Sequence, residues 1–253
     1  MGQAVIATLI KAGVAKDRIS FARKRSERNE EIIERFGITP RPLDQLVSES
    51  GIIFLAVKPQ DLITLLADIK PHLAPETLLI SLAAGKKTSV IQAAVGGSNP
   101  VIRVMPNTPM VLGEGVSAIS ASENVSATDL AWTKEVLASG GKALVIDESL
   151  QDAVTAVSGS GPAYFFAFIE AMVKAAEGLG LSNQEATALA TATIKGAAVM
   201  LESSGKSATT LRENVTSPNG VTAAALKVFS ERELEVIVKE AMTAARDRSV
   251  ELG

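Results

Sequence analysis

The chain contains no cysteine and one histidine, and few of its residues are aromatic. Without thiols there is no disulfide, no thiolate nucleophile and no iron–sulfur ligation. A single histidine, His72, cannot build a His-rich zinc site, and no metal is expected. A Ser–His triad would have to use His72, and no G-x-S-x-G elbow is present. Long apolar runs are missing too. The longest uninterrupted ones, Ile52–Val57 and Ala163–Ile169, fall far short of the ~20 residues that span a bilayer. No signal peptide is visible. Nor is there a basic excess. Residues 1–148 carry 16 basic and 16 acidic side chains, and residues 149–253 carry 9 and 12. No basic face favours a nucleic-acid backbone. The expectation is a soluble, cytoplasmic protein that engages neither membrane nor nucleic acid.

What remains is aliphatic. Apolar residues make up 47% of the 253, yet only 4% are aromatic, so the core must be built from Ala, Val, Ile and Leu. In the first half, strand and helix patterns alternate. Residues 3–12 read as a helix stopped by Gly13, Ile19–Ala22 as a short strand, and Ser26–Phe36 as a helix stopped by Gly37. Ile52–Val57, Leu78–Ala83 and Val101–Met105 are unbroken apolar runs, the mark of strands buried on both faces of a parallel sheet. A helix over 60–70 separates the first two. Val116–Ile119 and Ala143–Ile146 read as late strands around a helix near 127–138. This alternation predicts an α/β, Rossmann-like, doubly wound and mainly parallel sheet. After about residue 148 the texture becomes Ala-rich and helical, over 162–179, 183–203, 207–214, 222–229 and 232–252. The change of texture places a boundary near residue 148, between an α/β domain, 1–148, and an all-α domain, 149–253. Small-residue helical faces of this kind suit a subunit contact, although a monomeric bundle would show the same pattern.

The opening is incomplete for such a fold. Met1-Gly2-Gln3-Ala4 lies directly inside a helix, with no strand or glycine-rich turn before it. Gly2 looks like the last glycine of a G-x-G-x-x-G turn. The expectation is that residues upstream of Met1 are missing from the chain. Alternatively, the sheet begins at Ile19. Without a central first strand, two mid-sheet strands would carry unpaired edges.

Several segments can carry chemistry. Arg23, Lys24 and Arg25 follow the first strand, where basic residues suit the 2′-phosphate of NADP and an acidic one would suit NAD. A solvated helix start would look alike. Val57-Lys58-Pro59 and Ala83-Ala84-Gly85 end two buried strands, where open α/β sheets bind ligands. Asn107 lies between Pro106 and Pro109 with an amide that can donate and accept. Ser158-Gly159-Ser160-Gly161-Pro162 permits close backbone approach, or forms a hinge before a capped helix. Asn214–Thr222 joins two helices. It reads equally as a carboxylate site at a helix start or as a Ser-Pro-Asn-Gly turn with Thr222 as the cap.

Taken in order, VKPQ (57–60), SLAAG (81–85), RVMPNTP (103–109), SGSGPAYFF (158–166) and NVTSPNGVTAAAL (214–226) resemble pyrroline-5-carboxylate reductase across essentially the whole chain. The resemblance implies reduction of 1-pyrroline-5-carboxylate to L-proline by NADPH, or by NADH. It also implies a helical domain that interlocks in a homodimer, which in some members builds a larger ring. By resemblance, Gly2, Arg23, Lys24, Arg25, Val57, Lys58, Pro59, Ala83, Ala84, Gly85 and Asn107 serve the cofactor. Val215, Ser217, Gly220, Val221 and Thr222 bind the substrate, with Thr222 hydrogen-bonded to the ring nitrogen as the catalytic residue. Three departures stand out: the truncated opening turn, Asn219 and Val221 in the substrate loop, and Leu43 where the family often has Asn. They motivate two other readings, a reductase of another cyclic imine acid and a non-catalytic dimerising homologue.

Overall fold

The computed structural model describes residues 1–24 and 29–253. Helix α1 (Gly2–Lys11) leads to β1 (Ser20–Phe21), α2 (Asn29–Phe36), β2 (Thr39–Pro40) and α3 (Leu43–Glu49). Then follow β3 (Ile52–Leu55), α4 (Pro59–Ile69), β4 (Leu78–Ser81), α5 (Thr88–Val95) and β5 (Val101–Pro106). Strand β6 (Gly115–Ala121), α6 (Ala127–Ala138) and β7 (Gly141–Val145) complete the α/β part. The strand order β3-β4-β5-β6-β7 is parallel except for β5 and β6, which run antiparallel. Sequence patterning did not show β2, α3 or α5. Each is eight residues or fewer, too short for a clear period.

The sheet is sandwiched because its strands are apolar on both faces. Ile80, Ile102, Val104 and Ile119 pack with α1 and α6 in one cluster, while Leu79, Val101 and Ile53 pack with α3, α4 and α5 in the other. The first strands stand apart. β1 pairs only with β2, in a separate two-stranded sheet. β3 pairs only with β4, yet Ile19, Phe21, Ile52 and Phe54 share one hydrophobic cluster with α1. Among the described residues, two neighbouring parts of the core are thus joined by side chains and not by a backbone ladder.

The rest is helical: α7 (Gln151–Val154), α8 (Gly161–Gly178), α9 (Asn183–Ser203), α10 (Ala208–Asn214), α11 (Val221–Glu231) and α12 (Leu234–Leu252). Between α7 and α8 the backbone widens into a π-helical turn at Thr155–Gly159, so the Ser-Gly-Ser-Gly segment extends a helix and does not form a loop. The path Glu148–Gly178 is long and apolar enough to cross a membrane by length and composition, a property hidden by the residues that punctuate its apolar runs.

The chain divides into two compact units. One comprises 1–162 together with 244–253, the other 163–243. The second unit buries little of itself. Among its residues only Ala186 and Ala190 are buried, while Phe165, Phe166 and Leu189 are exposed.

Candidate cofactor and substrate sites

The carboxyl ends of β3, β4 and β5 lie side by side because the three strands are parallel. A β-carbon on Gly2 would stand 3.7 Å from the Ala56 β-carbon, which sets the start of α1 beside the end of β3. The first N–H groups of α1 have no intrahelical partner, and its first turn holds no acidic residue. Lys58 is the exposed N-cap of α4, with Pro59 in the first helical position. Beyond β4, Ala83 and Gly85 are buried and Ala84 half-buried. Arg23 and Lys24 follow β1 and are exposed, while Arg25 lies outside the described residues. The donor set is therefore free helix N–H groups and cations at strand ends, with small residues that permit close approach. It fits an anionic dinucleotide.

Asn107 is held by the fold through both ends of its amide. It is 8% exposed, and its Nδ2 donates to the Ser158 carbonyl at 3.1 Å. Its Oδ1 accepts from the Val116 N–H at 2.8 Å. The amide ties the end of β5 to β6 and to the π-helical turn, leaving one N–H for anything else. His72 is exposed, in a single helical turn after α4.

The substrate-loop residues belong to the helical unit. Val215 caps α10, and Thr216 Oγ1 donates to the Arg212 carbonyl at 2.6 Å. Ser217–Gly220 forms a tight turn closed by Gly220 N–H to the Ser217 carbonyl at 3.0 Å. Asn219 adopts φ +59, which asparagine tolerates. A β-carbon at position 220 would stand 2.6 Å from Ser217 Oγ and 3.0 Å from the Ser217 carbonyl oxygen, so a larger residue there would displace the Ser217 hydroxyl. The N-cap of α11 is Gly220, with no side-chain cap; Thr222 is the second helical residue and not the cap. The first N–H groups of α11 are left without an internal acceptor. Ser217 is exposed, Thr222 half-buried and Val221 91% exposed. An open groove of about 680 Å³ nearby is lined by Arg212, Thr216, Leu226, Phe229 and Val236, and by none of the predicted substrate residues.

Sequence patterning overlooked one cluster entirely. Arg103, on β5 and 2% exposed, reaches Asp152 at 3.0 Å and Glu148 at 3.9 Å. The signal was a charge inside the apolar run VIRVM, since a buried guanidinium must be paired.

Two family descriptions match the chain. Pyrroline-5-carboxylate reductase dimerisation covers residues 148–252. NADP oxidoreductase, coenzyme F420-dependent, covers residues 1–85. The pyrroline-5-carboxylate reductase of Pseudomonas aeruginosa is 40% identical, over the whole of this chain and 93% of that protein. That of Corynebacterium melassecola is 37% identical, over the whole of this chain and 95% of that protein. Among solved structures, the Plasmodium falciparum pyrroline carboxylate reductase with NADP bound superposes with a TM-score of 0.90 at 31% identity. It is matched by all of this chain and over 94% of its own length. The dimerisation match covers the helical part of the chain and supports homo-oligomerisation. With the dinucleotide fold, the dimerisation helices and full-length relatives in agreement, the chain belongs to the pyrroline-5-carboxylate reductase family.

Proposed function

We propose that the chain reduces 1-pyrroline-5-carboxylate to L-proline with NAD(P)H, the last step of proline biosynthesis. Within the family, the observation that carries this reading is the uncapped start of α11 beside the exposed Ser217 hydroxyl. Such a terminus favours an anion, and the substrate's invariant anion is its carboxylate. NAD(P)H, when bound, supplies the hydride. The chain's own residues have three tasks. Gly2, Val57, Lys58, Pro59, Ala83, Ala84, Gly85 and Asn107 hold the nucleotide, with Arg23, Lys24 and Arg25 toward its ribose phosphate. Ser217 and Val221 seat the carboxylate through backbone N–H groups and the Ser217 hydroxyl, with Val215 and Gly220 shaping the loop around it. Thr222 accepts the N–H of the protonated imine, orienting the carbon that takes up the hydride while its π pair moves to nitrogen. A protonated imine is already electrophilic, so position and exclusion of water suffice and no histidine is needed. Residues 1–148 serve as the dinucleotide-binding domain and 149–253 as the dimerisation and substrate domain. Assembly of dimers into a larger ring and a cytoplasmic location belong to the same reading; sedimentation of the purified chain tests the ring.

A second reading is reduction of another cyclic imine acid. Val221, 91% exposed at the start of α11, favours it by presenting methyl groups beside the carboxylate site. Steady-state rates on five- and six-membered ring imines with NADPH decide among the readings. Faster turnover of the five-membered ring supports the first and the reverse supports the second. No turnover of either points to a non-catalytic homologue.

A further inference from the structure

Apart from Arg103, which opens the RVMPNTP motif, the groups that hold the loop after β4 lie outside every motif of the sequence. Gly85 adopts φ +76, and a β-carbon placed on it would stand 2.7 Å from the Ser249 carbonyl oxygen. Only glycine leaves room for that backbone approach. Lys86 Nζ donates to the Gly253 carbonyl at 3.2 Å. The last turn of α12 therefore lies directly on the loop. Ser249 pins that turn: it is 3% exposed, and its Oγ donates to Asp152 Oδ1 at 2.8 Å. Arg103 Nη2 donates to the same oxygen at 3.0 Å. The other carboxylate near Arg103 grips the far end of the loop. Glu148 Oε1 accepts from the Thr88 N–H at 2.7 Å, and Oε2 from the Thr88 hydroxyl at 2.8 Å.

One buried guanidinium thus organises two carboxylates, and these fix the stretch 85–88 at both ends. A buried ion cluster adds little stability over apolar packing, because desolvation offsets the attraction. What it supplies is a single geometry. Ala83, Ala84 and Gly85 have no long side chains with which to hold themselves in place.

We propose that Ser249, Asp152, Glu148 and Arg103 are positioning residues for the cofactor loop. They act through Gly85 and Thr88 and not by touching the reacting atoms. The proposal rests on the reading of Ala83–Gly85 as cofactor-binding, so its test has one arm without nucleotide. In that arm, hydrogen exchange is followed at residues 84–88 of the full chain. Ser249→Ala and Thr88→Ala are expected to raise exchange there, while Ser249→Thr and Thr88→Ser, which keep the hydroxyl, leave it as in the parent. In the second arm, NADPH is titrated and steady-state rates are measured. Both alanine variants are expected to raise Kd and KM for NADPH by roughly tenfold, with kcat within about twofold, as for other residues that orient a binding group. The hydroxyl-keeping variants restore both. Unchanged exchange in either folded alanine variant overturns the clamp. Loosened exchange with unchanged NADPH affinity overturns its role in cofactor binding. A parent chain that binds no NADPH overturns the cofactor reading, and the exchange arm still decides the clamp.

Discussion

Leu79 and Phe166 are both large apolar residues in regular structure, yet Leu79 is fully buried and Phe166 is 63% exposed. Their two regions solve the same problem differently. The α/β unit covers both faces of its sheet with its own helices, so its core closes within one chain. Among the described residues of 163–243 only Ala186 and Ala190 are buried, and the dimerisation match supports homo-oligomerisation of this part. The expectation is that stability of the first region is independent of protein concentration, whereas that of the second rises with it.

The sharpest way to break this comparison is a charge on the bare face. Phe166→Glu is expected to weaken dimerisation by about 3 kcal/mol or more, the scale of an interface hot spot. The α/β unit should stay folded. Sedimentation velocity checks it, and a dimer persisting at micromolar concentration would contradict it. Leu79→Ala is the counterpart in the closed core. A loss of about 2–5 kcal/mol is expected, and it should be independent of protein concentration. Denaturant melts at two concentrations measure both properties.

Function sharpens the contrast further. Thr222→Ala should reduce turnover by about a hundredfold, the scale of one acid–base or orienting group. Its melting temperature should match that of the parent, because Thr222 is half-buried and caps nothing. Unchanged turnover would remove Thr222 from the mechanism. On the α/β side, Arg23→Ser with Arg25→Asp should lower the NADPH-to-NADH preference by about tenfold, one charged hydrogen bond's worth. An unchanged ratio returns these cations to the solvated surface.

The smallest effect concerns α9, whose start carries a device internal to the chain. Ser182 and Glu185 form a reciprocal capping box, and the hydrogen bonds from the Ser182 hydroxyl and N–H hold the Glu185 carboxyl below its ordinary value of 4.5. A lowered folded value means that the contribution is present above pH 4.5 and lost as pH falls through the folded value. Helical content followed on acid titration should drop earlier in Ser182→Ala than in the parent.

Much of the architecture was legible locally. The pattern placed α6 at 127–138 and α9 at 183–203, where the structure has them. The strands β3, β4 and β5 were visible as apolar runs because each is sandwiched. Among the described residues, β1 and β3 fall in different sheets. Less legible were the short elements and every pairing of residues distant in sequence. Asn107 lies between Pro106 and Pro109, where a rigid turn explained the segment as well as a ligand contact did. Val116 and Ser158, which occupy its amide, lie 9 and 51 residues away. Ser249 carried no signal at all, being one hydroxyl in a charged last turn.

By itself, the sequence determined the long helices and the sandwiched strands, which faces are apolar, and which family's motifs stand in which order. These depend on periodicity and on residue type, and both are local. Only the tertiary structure decided that the last ten residues return to the α/β unit, that Gly85 lies under a carbonyl of Ser249, and that Arg103 gathers Glu148 and Asp152. Such pairings join residues 45 to 164 positions apart, and geometry at that range follows from how whole elements pack, which no local pattern encodes.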